Sequence, residues 1–342
     1  MDVGVIGGSG YGGAELLRLL AGHPAFKVRV VAGGRTAGQP IGDVFPHLAA
    51  TPLADERIVT ADADDLRDCA VVFAATPHEV SLELLPALLG EGRTVVDLSG
   101  AFRLPAAQFD EWYGIGHTAP ELTPAVYGLP ELWRAELPGA ELIAGPGCYP
   151  TAALLALAPL AGLVAEGPIV VSGMSGWSGA GRGLRDDLHA SHAHGNVAPY
   201  GAPRHRHTPE IAQQFAALGG PAARVSFVPH LVPMTRGEVV TCTAPLRDGV
   251  TGAGLRDAVA DRYGDEPFVT VLSAGTWPQS THVVGANTAH VAVAVDERAR
   301  TAIAACALDN LVKGAAGQAI QAANVATGTA ETAGLPIAGL YP

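Results

Sequence analysis

Short unbroken apolar runs and helix-spaced apolar residues alternate through the first part of the chain. Val3 to Ile6 reads as a buried strand and Gly7 to Gly13 as a turn. Ala14 to Ala21, with Leu16, Leu17, Leu19 and Leu20 on the helical repeat, reads as a helix. His23-Pro24 ends that helix and Phe26 to Ala32 follows as a second β-rich run. The opening is therefore a βαβ unit of about the 30 residues such a unit needs. The alternation continues with a buried strand at Ala70–Ala75, a turn at Thr76-Pro77-His78, a helix over about Val80–Leu89 and a strand at Thr94–Leu98. Strands alternating with helices predict an α/β architecture whose N-terminal part is a Rossmann-type, doubly wound parallel sheet.

After Gly145-Pro146-Gly147 the pattern changes. Thr151 to Leu163 reads as an apolar helix. Strands are then predicted at Ile169–Ser172, Val225–Val228, Glu238–Ala244, Phe268–Leu272 and Ala289–Val295. Several of these alternate, as sheets with one buried face do, so the second region is expected to be α+β with a mixed or antiparallel sheet. Gly- and His-rich loops are expected at Ser175–Arg182 and His189–His207. Arg298 to Val312 reads as helix-like, interrupted at Lys313-Gly314 and resumed over Ala315–Val325.

Composition narrows the function. The chain has 342 residues, enough for two domains, with 48% hydrophobic and 16% charged residues. Its net charge is −12 and it has no dense Lys/Arg run, which argues against nucleic acid or an anionic membrane as partner. An anionic small molecule stays open, because a few local Arg residues and backbone N–H groups suffice to bind one. Met1-Asp2 leads into an apolar run with no basic leader, and no stretch of about 18 uncharged apolar residues occurs. Four widely spaced cysteines imply neither a disulfide framework nor a zinc motif, so a reducing cytoplasm is the expected location.

Two segments carry chemistry. Gly7-Gly8-Ser9-Gly10-Tyr11-Gly12-Gly13 matches G-x-x-G-x-x-G between a strand and a helix, the setting in which backbone N–H groups and the helix dipole hold a pyrophosphate. After the second strand the chain reads Ala32-Gly33-Gly34-Arg35-Thr36, with no acid to hold a ribose 2′-hydroxyl. Arg35 and Thr36 suit a 2′-phosphate, which favours NADP(H) over NAD, the alternative being that Arg35 is a solvated surface charge. Cys148, in Gly145-Pro146-Gly147-Cys148-Tyr149-Pro150-Thr151, precedes an apolar helix whose dipole favours the thiolate. Cys69, Cys242 and Cys306 read as small buried hydrophobes. Among twelve histidines the segment His205-Arg206-His207-Thr208-Pro209-Glu210-Ile211 is the best local partner for a thiolate, although a capping or surface histidine fits His207 as well. His189, His192 and His194 match no zinc spacing, and no metal is expected.

The segments GGSGYGGAEL (7–16), GPGCYPTAALLAL (145–157), SGWSGAGR (175–182), HRHTPEI (205–211) and DNLVKGAAGQAIQ (309–321) resemble the N-acetyl-gamma-glutamyl-phosphate reductase family. That family is the arginine-pathway branch of the aspartate-semialdehyde-dehydrogenase-like superfamily, and the resemblance runs over essentially the whole chain. It implies Cys148 as nucleophile, His207 as its acid/base partner and Glu210 as support. It adds Ser178, Gly179, Asn310 and Gly314 to Gly7, Ser9, Gly10, Tyr11, Gly12, Gly13, Arg35 and Thr36 as cofactor residues. Arg103, Arg182 and Arg206 become candidates for the phosphate or carboxylate of the substrate. It also implies a discontinuous NADP-binding domain, 1–147 plus 313–342, around a catalytic and oligomerisation domain, 148–312, in a homo-oligomer (dimer or tetramer). The expected reaction reduces N-acetyl-L-glutamyl 5-phosphate through a Cys148 thioester to the semialdehyde, releasing phosphate. The same chemistry on aspartyl or carrier-linked aminoadipyl phosphate, and a non-catalytic NADP-binding sensor, are the alternatives.

Overall fold

The computed structural model describes residues 1–341 apart from Asp62, Ala222 and Ala223. The chain divides into two compact units, Met1–Gly147 with Ala315–Leu335, and Cys148–Gly314 with Pro336–Pro342.

The first unit is built on six strands: β1 (Asp2–Ile6), β2 (Lys27–Ala32), β3 (Val71–Ala74), β4 (Thr94–Asp97), β5 (Val126–Tyr127) and β6 (Leu142–Ala144). They lie in the order β2-β1-β3-β4-β6-β5, and every pair is parallel. Val3, Val5, Val71, Val72, Val95, Val96 and Ile143 are fully buried, as a sheet covered on both faces demands. Helix α1 (Tyr11–Leu20) follows β1, and α2 (His78–Leu84) follows β3 and tightens into a 3-10 turn over Leu85–Leu88. Helix α3 (Ala106–Tyr113) comes after β4. The strand order reverses between β1 and β3, the point at which open α/β sheets bind ligands.

The second unit opens with α4 (Cys148–Leu157), which is buried on every side from Tyr149 to Leu157 because it has no polar face. Its seven strands are β7 (Pro168–Ser175), β8 (Ala198–Pro199), β9 (Arg224–Leu231), β10 (Glu238–Pro245), β11 (Val269–Val271), β12 (Ala289–Asp296) and β13 (Thr301–Leu308). They form one mixed sheet, β11-β12-β13-β10-β7-β9-β8. The β7–β9 and β11–β12 pairs are parallel, and the other four are antiparallel. Helices α5 (His207–Ala217) and α6 (Gly252–Tyr263) lie after β8 and β10. Helix α4 packs on β10, β12, β13 and α5.

The expected helix over Arg298–Val312 is corrected: Thr301–Leu308 is a strand, hydrogen-bonded to β10 on one side and β12 on the other. The run Ala302-Ile303-Ala304-Ala305-Cys306-Ala307-Leu308 has helix-forming alanines and no alternation. Burial in a central strand overrides that local preference. A π-turn at Val312–Ala316 then leads into α7 (Gly317–Ala326). The last residues depart from the expected 313–342 boundary. Asn287 N–H donates to Pro336 O at 2.8 Å and Leu340 N–H to Val284 O at 2.8 Å, which ties this tail to the second unit.

Candidate active site

The first unit carries the glycine turn. Gly7 has φ +78°, and a Cβ there would run into the carbonyl oxygen of Ala75, so only glycine lets the chain leave β1 at this angle. Gly7 and Gly8 N–H both donate to Ala32 O, at 2.9 and 3.0 Å, which locks the turn to the end of β2. Helix α1 begins at Tyr11, so Tyr11, Gly12 and Gly13 supply the first-turn amides that a helix leaves open to an anion. At the end of β2 two hydroxyls converge on Gly33: a methyl group there would lie 3.2 Å from Thr36 Oγ1 and 3.5 Å from Ser9 Oγ. Thr36 Oγ1 is shielded from solvent and makes no protein hydrogen bond, while Arg35 is exposed. An orphaned hydroxyl beside an exposed guanidinium and a first-turn amide set fits a dinucleotide bearing a 2′-phosphate.

Arg103 belongs to this unit. It is 6% exposed, and its guanidinium donates to Gly145 O at 2.8 Å and Leu98 O at 2.9 Å. Those bonds brace the chain after β4 against the end of β6. Asp97, fully buried at the end of β4, accepts from Ser81 Oγ, Ser99 N and Ser99 Oγ at 2.8, 3.0 and 2.7 Å. Burial still pushes its carboxyl above the usual range.

The second unit gathers a separate cluster at one end of its sheet. Cys148 is half-buried at the first residue of α4, so its thiol lies at the positive end of the helix dipole. A Cβ on Gly314 would come within 2.8 Å of Cys148 Cβ, so glycine is required for the π-turn to pass the cysteine. Asn310 clamps two neighbouring segments. Its Oδ1 accepts from Gly237 N at 2.8 Å and its Nδ2 donates to Ser178 Oγ at 2.9 Å. Gly176, Trp177 and Ser178 N–H donate to the carbonyls of Gly237, Met234 and Thr235, so the loop after β7 is fastened to the approach to β10. Gly179 is exposed at this loop.

Tyr149 carries the cluster over to the histidines. Its ring centroid lies 6.3 Å from that of His205 and 6.1 Å from that of His207, and the two histidines are 4.7 Å apart and edge-on. Burial, with Arg206 beside it, lowers His205 to about 4, and its Nδ1 accepts the His207 N–H at 3.2 Å, so it is a neutral cap on α5. Glu210, one turn into α5, is 1% exposed. Arg206 and Arg182 are exposed.

Sequence patterning assigned no role to Asp309, Ser175 or Glu238. Asp309, fully buried, accepts from Gly285, Leu311 and Val312 N–H at 2.7, 2.8 and 3.1 Å and pairs with Arg236 at 3.2 Å. Ser175 and Glu238 are buried at the ends of β7 and β10. Alternation held the signal for Glu238: it is in phase with Val240, Cys242 and Ala244, which face the interior. Burial pushes Cys242 upward as well, leaving it an inert core thiol. Cys69 and Cys306 are also buried, and among the described residues no disulfide joins any of the four.

Comparison with known proteins agrees over the full length. Residues 2–140 match the family model "Semialdehyde dehydrogenase, NAD binding domain", and 148–310 match "Semialdehyde dehydrogenase, dimerisation domain". An N-acetyl-gamma-glutamyl-phosphate reductase from Acidothermus cellulolyticus is 47% identical over 99% of both chains. One from Heliobacterium modesticaldum is 42% identical, again over 99% of both. Among solved structures, aspartate semialdehyde dehydrogenase II of Vibrio cholerae superposes with a TM-score of 0.71 at 17% identity, covering 95% of this chain and 97% of that one. An aspartate semialdehyde dehydrogenase with NADP from Candida albicans gives 0.64 at 15% identity, over 95% and 97%. These two likenesses carry the fold. The sequence and family-model matches establish that the chain belongs to the N-acetyl-gamma-glutamyl-phosphate reductase family of the semialdehyde-dehydrogenase-like superfamily.

Proposed function

We propose that the chain is an NADPH-dependent reductase of arginine biosynthesis. It converts N-acetyl-L-glutamyl 5-phosphate to the 5-semialdehyde and releases phosphate. The observation that carries this reading is Cys148: a half-buried thiol on the first residue of a wholly buried helix, with glycine as the only residue that can pass beside it. The dipole of α4 favours the thiolate, which attacks the acyl carbon as the bond to the phosphate oxygen breaks. First-turn amides of α4 stabilise the oxyanion of the tetrahedral species. When bound, NADPH supplies the hydride that reduces the resulting thioester. His207 accepts the thiol proton at the start and later protonates the thiohemiacetal oxygen, with Glu210 orienting it. His205, lowered to about 4, is too weak a base for that task near neutral pH.

In this reading the first unit binds the cofactor through Gly7, Ser9, Gly10, Tyr11, Gly12 and Gly13, with Arg35 and Thr36 on the 2′-phosphate. Ser178, Gly179, Asn310 and Gly314 serve the nicotinamide end. Arg182 and Arg206, both exposed, are assigned to the phosphate or carboxylate of the substrate. Arg103 is committed to the carbonyls of Gly145 and Leu98 and serves first as a brace. We assign homo-oligomer formation to the second unit, whose β7 exposes Val170 and Met174. Among the described residues no helix is long and apolar enough to cross a membrane. A cytoplasmic location fits four cysteines without a disulfide.

The test is phosphate-dependent reduction of NADP⁺ with N-acetylglutamate semialdehyde and aspartate semialdehyde side by side. A clear preference for the first, with a thioester trapped on Cys148, is expected. A preference for the second would move the substrate to aspartyl phosphate.

A further inference from the structure

The reaction described above leaves Glu238 without a task. This residue opens β10 directly opposite Ser175 of β7 and Leu308 of β13. Its side chain points to the face that α4 covers, it has no exposed surface, and it sits where the helix begins at Cys148. Both carboxyl oxygens are shielded from solvent, and neither makes a protein hydrogen bond of full geometry. The polar groups that face them are the Cys148 thiol and the Ser175 hydroxyl. A buried carboxyl without settled partners is costly, and it is least costly when neutral and donating to a nearby acceptor.

We propose that Glu238 works as a neutral carboxylic acid whose O–H donates to Sγ of Cys148, holding the sulfur as thiolate in the attacking position. This rests on the reading of Cys148 as the nucleophile. A neutral donor stabilises the thiolate without placing a second negative charge against an anionic acyl phosphate. Glu238 keeps its proton through the acyl transfer; the thiol proton goes to His207, and the leaving phosphate departs with the bonding pair.

The surroundings support a neutral Glu238. Burial raises its carboxyl to about 8, although Cys148 and Ser175 favour the charged form. Asp309, just after β13, acts in the same sense as burial and is itself paired with Arg236. Tyr149 and Tyr200, the other titratable groups in its field, are pushed far up by burial and stay neutral phenols. Below about pH 8 the group is therefore neutral; above it, a carboxylate would face the sulfur and oppose thiolate formation.

The test compares wild type, Glu238→Gln and Glu238→Leu as full chains. Each is assayed for turnover and for Cys148 alkylation by iodoacetamide from pH 6 to 10, with NADPH binding as the measure of folding. Wild-type turnover should fall on the alkaline side as Glu238 ionises. The Gln variant, an uncharged isostere, should lose that fall. The Leu variant, with no donor, should alkylate with an upward-shifted pH profile, and its thiolate fraction near pH 7 should drop roughly ten- to a hundred-fold. An alkaline fall unchanged in Glu238→Gln overturns the proposal, and so does an unshifted alkylation profile in a folded Glu238→Leu. Should the Leu variant not fold, wild type against Gln decides alone. Turnover surviving in Cys148→Ser would instead remove the nucleophile reading itself.

Discussion

Two helices of this chain begin on glycine-rich turns, and they use the positive ends of their dipoles differently. At α1 the turn Gly7 to Gly13 bears few side chains, and what it offers is backbone: first-turn amides, with the Ser9 and Thr36 hydroxyls at its edge. At α4 the turn ends in Cys148, so the same field acts on a thiol. The first arrangement suits an anion that is held unchanged, the second a nucleophile that must react. Glycine differs between them too. Gly7 is needed for its backbone angle, whereas Gly314 is needed because another segment's side chain stands in its way.

The largest break in this comparison should come from Cys148→Ser. Turnover is expected to fall by roughly 10⁴–10⁶-fold, as for other nucleophile deletions, while NADPH affinity measured by fluorescence titration stays within about two-fold. Comparable turnover in the serine variant would mean that α4 presents no nucleophile. Next comes His207→Asn, which should lower turnover roughly 10²–10⁴-fold and move Cys148 alkylation to higher pH. His205→Asn should cost far less, since burial leaves that imidazole too weak a base for the task; the reverse ranking would hand the proton to His205.

Gly314→Ala sharpens the comparison by testing packing alone. The added methyl meets Cys148 Cβ at 2.8 Å, and displacing a reacting atom by about 1 Å can cost on the order of 10²-fold in kcat. Thermal unfolding should move little beside that loss, and an unchanged kcat would show that the thiol tolerates displacement. The smallest effect belongs to the other helix. Arg35→Ala should weaken NADPH about ten- to a hundred-fold and leave NADH nearly unchanged, the range of one charge-assisted pair. Equal losses for both cofactors in a binding titration would show that Arg35 does not contact the 2′-phosphate.

The amino-acid sequence by itself determined the parallel sheet of the first unit, the glycine turn and the distinctive cysteine. These are local: unbroken apolar strands, helical leucines and a short glycine motif each carry their meaning within about ten residues. Tertiary structure decided the rest. Alanines over 301–308 became a strand because β10 and β12 flank them, a pairing with partners far along the chain. Burial keeps His205 neutral, and spacing along HRHTPEI cannot express burial. Arg103 turned inward to carbonyls that no motif announces. Glu238 met Cys148 only through strand register and helix packing, which bring residues 148, 175 and 238 to one end of a sheet. Local preference is written residue by residue, but the electrostatics of a site belong to whatever folding brings within a few ångströms of it.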